Sequence, residues 1–181
     1  MATESEFVGV ALEVAQGLLA SPPYVVRRGA SLLYQVTVDN KLELSVDVKN
    51  PVKGQSAFQT DLCVFEIINA EVTIPRVVLE FKTKVTTHDI LTYSAKATKH
   101  KQVYPYLRYG MVASSEQAVP GRLFTHNESL DFFAAVDGLN HDDLRNFLST
   151  LLQAEIAASQ KLEAVTFNSH KTRLFRSEIL A

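Results

Sequence analysis

The sequence predicts an α/β protein with a central mixed β-sheet flanked by helices. Three observations carry this. Thr3 with Glu6, and Thr86 with Asp89, form capping boxes ahead of segments with helical spacing. Between them lie stretches in which apolar residues alternate with polar ones or run together, as strands do. From Asn140 onward a long pattern places Leu144, Phe147, Leu148, Leu151 and Leu152 on one helical face.

The first helix carries Phe7, Val10, Ala11, Val14 and Leu18, and Ser21-Pro22-Pro23 ends it because proline lacks the donor and restricts its predecessor. Leu32–Val38 and Leu42–Val48 alternate, with Asp39-Asn40 between them as a hairpin turn. Pro51 to Gly54 breaks the pattern before a third strand, Ala57 to Ile68. A fourth, Arg76 to Val85, begins with an apolar run expected of a strand covered on both faces. The second capped helix runs to Lys101, before Pro105, and Arg108 to Ala113 reads as another strand. Asn127 to Val136 reads as a short helix, and His141 to Glu163 as a long one with Asp142 and Asp143 in its first turn. The stretch Ala164 to Phe175 fits a strand or an irregular segment equally.

With 181 residues, 46% hydrophobic and 21% charged, the chain has the composition of one globular domain. A net charge of −2 argues against coating nucleic acid by bulk electrostatics, and one cysteine excludes a disulfide framework and multi-cysteine zinc sites. Met1 to Phe7 has two glutamates and no basic residue, unlike a signal peptide, and no apolar stretch is long enough for a membrane helix. These features predict a soluble, cytoplasmic protein with no membrane partner.

Several chemistries lack their usual residues. The seven glycines are isolated, which leaves no GxGxxG or P-loop and hence no nucleotide cofactor. No G-x-S-x-G elbow exists, and the five histidines contain no HxxxH pair. Cys63, between Leu62 and Val64, reads as a buried, inert thiol.

What remains is a set of acids in apolar strands. Asp61 opens the run Leu62-Cys63-Val64-Phe65, and Glu80 and Lys82 interrupt another around Phe81. Residues two apart in a strand share a face, so Glu80 and Lys82 should point the same way. Burying a carboxylate and an ammonium is costly unless they are paired or bind an ion. Mg²⁺ takes oxygen ligands at about 2.1 Å and usually only one or two carboxylates. Asp61 and Glu80, with the Phe81 carbonyl, could supply such a partial cage, and Lys82 could hold or deprotonate an attacking water. A strand-start cap for Asp61, and a solvated strand face or an ion pair for Glu80 and Lys82, are the structural alternatives. Glu66, five positions from Asp61, reads as structural.

Asp61, eighteen intervening residues, and then Glu80-Phe81-Lys82 resembles the PD-(D/E)xK nuclease superfamily, which includes many restriction endonucleases. The preceding helix, the helix after the Glu-x-Lys strand and the strand from Tyr106 extend the resemblance over Thr3 to Ala113. Thr60 stands where the motif name has proline. The resemblance implies a restriction-endonuclease-like fold, with Asp61 and Glu80 as catalytic metal ligands for Mg²⁺ and Lys82 as the catalytic lysine. It further implies Glu13 as an additional acid from the first helix, and it aligns Gln102 and Tyr106 with the Q-x-x-x-Y pattern of the exonuclease-like branch.

The expected activity is Mg²⁺-dependent, restriction-type endonucleolytic hydrolysis of DNA, and the resemblance implies 5′-phosphate and 3′-hydroxyl products. Cutting both strands from a single site calls for a homodimer or sequential nicking. Residues from about 114 onward are expected to form an extension for dimerisation or DNA readout. Lys96, Lys99, Lys101 and Arg108 are the candidate DNA-backbone contacts, balanced against a role for the lysines in capping a helix C-terminus. Lys171, Arg173 and Arg176 form a weaker basic set. The competing class is a noncatalytic module on the same fold that binds nucleic acid or protein, and a third reading is an RNA or repair-junction nuclease.

Overall fold

A computed structural model describes residues 3–169, 171–174 and 179. Phe175 and Arg176, both named above, lie outside the described residues, as does His170, one of the five histidines. The elements run α1 (Glu4–Leu18), β1 (Tyr24–Arg28), β2 (Ser31–Leu33), β3 (Ala57–Gln59), β4 (Leu62–Ile67), β5 (Thr73–Lys82), α2 (Thr87–Val103), β6 (Arg108–Ala113), α3 (Gly121–His126), β7 (Phe132–Ala135) and α4 (His141–Phe167). Both capping boxes are formed, and Asn140 caps α4 by accepting from the Asp142 and Asp143 amides.

Five strands form one mixed sheet in the order β1-β4-β5-β6-β7, antiparallel as far as β5 and parallel beyond it. The parallel step from β5 to β6 needs a crossover, and α2 provides it. Two apolar layers cover the sheet. Val77, Leu79 and Phe81 face α1 and α4, packing with Phe7, Ala11, Leu148 and Leu152. Val78, Tyr109 and Met111 face α2, packing with Ile90, Tyr93 and Ala97. By strand alternation Glu80 and Lys82 share the α2 face with Val78, as the spacing predicted.

The structure adds one strand to the sequence reading and corrects three expectations. Tyr24–Arg28, unassigned from sequence, is an edge strand paired with β4. The hairpin of Leu32–Val38 and Leu42–Val48 shrinks to β2 and one bridge, Val38 to Leu44. Its alternation has no layer to pack on, so Val38, Leu42 and Leu44 stay exposed. The third strand is split, because Thr60 and Asp61 leave the ladder: Thr60 bonds to the Ala30 carbonyl through both its amide and its hydroxyl. The helix expected over Asn127–Val136 is replaced by α3 upstream and the strand β7, whose Phe132 ring fills the space above Gly110. A Cβ at Gly110 would lie 2.3 Å from that ring, so only glycine fits there.

The residues after Ala113 do not stand apart as an extension. β7 joins the main sheet and α4 covers one of its faces. Arg76, the extra residue at a β-bulge opposite Val64 and Phe65, pairs with Glu66 and Glu163 at 2.6 Å each, tying α4 to the sheet. Glu66 is therefore structural, as read from sequence. No described helix is long and apolar enough to cross a membrane.

Candidate functional site

Asp61 precedes β4, and β4 runs antiparallel to β5 with Leu62 opposite Leu79. Asp61 therefore arrives beside Glu80, at the same edge of the sheet where β5 ends. One Asp61 oxygen, Oδ2, accepts the Phe81 amide at 2.8 Å, continuing the ladder with a side chain where the strand has stopped. The Asp61 carbonyl accepts the Gly29 amide at 3.0 Å. Gly29 has φ +66°, and a Cβ there would lie 2.8 Å from the Gln59 side chain, so this turn favours glycine.

Glu80 is 2% exposed. Burial and the neighbouring Asp61 carboxylate push its pKa up to about 7. The Tyr109 hydroxyl donates to Glu80 Oε1, and the Lys96 ammonium is 4.0 Å from the same oxygen. Tyr109 is itself fixed by a stack with His100, ring centroids 5.6 Å apart. His100 Nδ1 donates to the Leu33 carbonyl at 2.9 Å, and burial lowers its pKa, so the ring is neutral.

Lys82 points its ammonium at Glu4, 3.0 Å away, and at the face of Tyr93, 5.7 Å from the ring centroid. Burial alone would lower its pKa, but the Glu4 hydrogen bond and the Tyr93 contact outweigh burial and hold it above the ordinary value. Lys82 is thus a fixed cation, suited to attract and orient an anion or water and unsuited to take a proton. Tyr93, also 4.8 Å below Lys96, has its hydroxyl pushed up to about 12 by burial and by Glu80.

An open cleft of about 520 Å³ borders this cluster. Glu4, Asp61 and Lys96 line it, together with Arg28, Lys53 and Phe58.

The three central residues expected from sequence are brought to one place. Glu13 is not among them: it is exposed and lies nine residues along α1 from Glu4, hence on the opposite side of the helix. The acid that α1 contributes is Glu4, in its first turn. Of the basic candidates, Lys96 alone reaches the cleft. Lys99 is exposed on α2. Lys101 pairs with Asp131 at 2.7 Å, and Arg108 pairs with Asp131 at 2.8 Å and Glu155 at 2.6 Å. Arg108 begins β6 opposite Val77, five residues down the sheet from Lys82 and therefore roughly 16 Å away. Its charge is spent on holding α4 and β7.

Sequence reasoning missed Glu4, Tyr93 and Tyr109. A tyrosine in a strand covered on both faces needs a polar partner, and that was the available signal for Tyr109.

Two carboxylates and a lysine at the strand ends of a mixed sheet, beside an open cleft, define a class: an α/β protein with a compact acid–amine site. No known protein-family model matches the chain, and no curated protein matches its sequence.

Proposed function

We propose that the protein is a Mg²⁺-dependent endonuclease that hydrolyses DNA phosphodiester bonds. The observation that carries this reading is the convergence of Asp61 and Glu80, close enough that the Asp61 carboxylate raises the proton affinity of Glu80, with Lys82 on the same strand face as Glu80. The element order from α1 to β6 also agrees with what the resemblance to PD-(D/E)xK nucleases implies.

The residues fit a hard cation. Two carboxylates held together without a counter-cation retain a proton, and a divalent ion is the alternative way to neutralise them. Among the described residues no group of three or more His, Cys, Asp or Glu side chains forms a cage. The fit is therefore to Mg²⁺, which keeps most of its water and uses one or two carboxylates. When bound, such an ion polarises phosphate oxygens and lowers the pKa of bound water. Asp61 and Glu80 would hold it. Tyr109 positions Glu80 through its hydrogen bond, and the rigid tie of Asp61 to the Phe81 amide sets the spacing. Lys82, a permanent cation, orients the attacking water and offsets charge developing on the phosphate. A homodimer, or sequential nicking, would complete a double-strand cut. A restriction-type role and a cytoplasmic location, which the free thiol of Cys63 suits, belong to the same reading.

One observation favours a second reading, a noncatalytic nucleic-acid or protein-binding module. Lys82 is already paired with Glu4, and Lys96 already faces Glu80, so lysines of the chain itself partly neutralise the acids.

Incubating the purified protein with plasmid DNA and Mg²⁺ separates the two. Cutting that EDTA and Lys82→Ala both abolish is the expected result. Cutting that persists in either case defeats the mechanism, and binding without cutting favours the module.

A further inference from the structure

The cleft beside the acids carries more positive charge than the site needs. Arg28 donates to the Ser5 hydroxyl at 2.9 Å, and Lys53 donates to the Gln59 side chain at 3.2 Å. Neither has an acidic partner among the described residues. Phe58 lines the same cleft, half-buried, its ring stacked on Tyr34 with centroids 4.1 Å apart and planes 21° apart. Unpaired cations beside an aromatic surface, within a concavity of small-ligand size, are the elements that bind an unpaired nucleotide. A base inside a duplex presents its edges to a protein and keeps its faces stacked on its neighbours. Only a base out of the stack can use an aromatic wall.

The geometry points to the cleft as a track for a single strand of DNA, with a base against the Tyr34–Phe58 pair and phosphates on Arg28 and Lys53. The strand would lead from this track to Asp61, which lines the same cleft. The substrate class is then single-stranded DNA, or a duplex opened or frayed at the site. This inference rests on the nuclease reading for the identity of the polymer, and it replaces Lys99, Lys101 and Arg108 as the backbone contacts.

Fluorescence anisotropy in EDTA, where no cutting occurs, tests it with a labelled 12-nucleotide oligothymidylate and a blunt hairpin duplex. The single strand should bind at least ~10-fold more tightly than the duplex, and Phe58→Leu should weaken it about 10-fold. Phe58→Tyr should restore the affinity. Arg28→Ala with Lys53→Ala should reduce the single-strand salt slope by roughly 1.4, at about 0.7 per phosphate contact. Lys99→Ala, outside the cleft, should leave binding unchanged. Thermal melts by circular dichroism establish that each variant is folded. Equal or tighter duplex binding, or an affinity indifferent to Phe58→Leu in a folded variant, overturns the track. Single-strand binding with these dependences but no cutting in Mg²⁺ supports the track and sinks only the hydrolytic reading. Duplex cutting without Phe58 dependence sinks only the track.

Discussion

The Lys82 ammonium donates to both oxygens of the Glu4 carboxylate, at 3.1 and 3.0 Å, although the two residues are 78 positions apart in sequence. The contact pins the first turn of α1 to the end of β5. Glu4 is 42% exposed, so screening limits the pair to about 0–1 kcal/mol of stability. Its consequence is positional. Glu4→Gln should melt within a few degrees of the parent while changing cleavage, and Lys82→Ala should slow cutting by at least ~100-fold, below detection in the plasmid assay. Because Glu4 holds Lys82 protonated, the pH–rate profile below pH 9 should show no limb that Lys82→Ala removes. A Lys82-dependent limb near neutrality would mean that it acts as a base.

Glu80 should make the metal-free protein less stable as the solution becomes more alkaline. Its carboxyl binds a proton more tightly folded (about 7) than unfolded (4.5), so the folded state holds more protons between those values. Stability then falls as pH rises from about 4.5 to about 7 and levels off above, by about 3 kcal/mol at most. Glu80→Gln, neutral at every pH, should flatten this slope and melt higher than the parent at pH 8. Urea unfolding at pH 5, 6, 7 and 8 measures both effects.

Divalent metal should reverse part of that loss. A ligand at ten times its dissociation constant stabilises the folded state by about 1.4 kcal/mol. The rise in melting temperature with Mg²⁺ or Mn²⁺ should be larger at pH 8 than at pH 6, because a proton on Glu80 competes with the ion. Asp61→Asn and Glu80→Gln should each abolish the shift. A shift that both variants retain would put the ion elsewhere.

Arg108 should matter for folding and not for DNA. It is largely buried between Asp131 and Glu155, and removing one member of such a network costs about 3 kcal/mol by leaving charges unpaired. Arg108→Ala should lower the denaturant midpoint while the salt slope of DNA binding stays at the parent value.

Where local chemistry decides an element, the sequence was legible. The Thr3, Thr86 and Asn140 caps each satisfy their own helix's first amides, and all three helices start where those residues predict. The expected β6, Arg108 to Ala113, is found without change. Errors arose where a distant partner decides. Val38 and Leu44 alternate as a strand should, yet no layer covers them. Asn127–Val136 read as a helix, but the open space over Gly110 draws Phe132 into an edge strand, where an aromatic side chain packs well. The site followed the same division. Asp61, Glu80 and Lys82 were legible because antiparallel pairing converts their spacing into proximity. Glu4 was not, because only the packing of α1 on the sheet decides which of its acids faces β5.

The entry of α1 also bears on how the protein should be handled. Glu4 and Ser5 form part of the cleft wall, and Ser5 receives the Arg28 guanidinium. A bulky group coupled at Ser5 would stand in this opening. The far end of α4, where Phe167 packs edge-on to Tyr106, sits by the opposite rim of the sheet. A label for binding measurements therefore belongs at that end of α4.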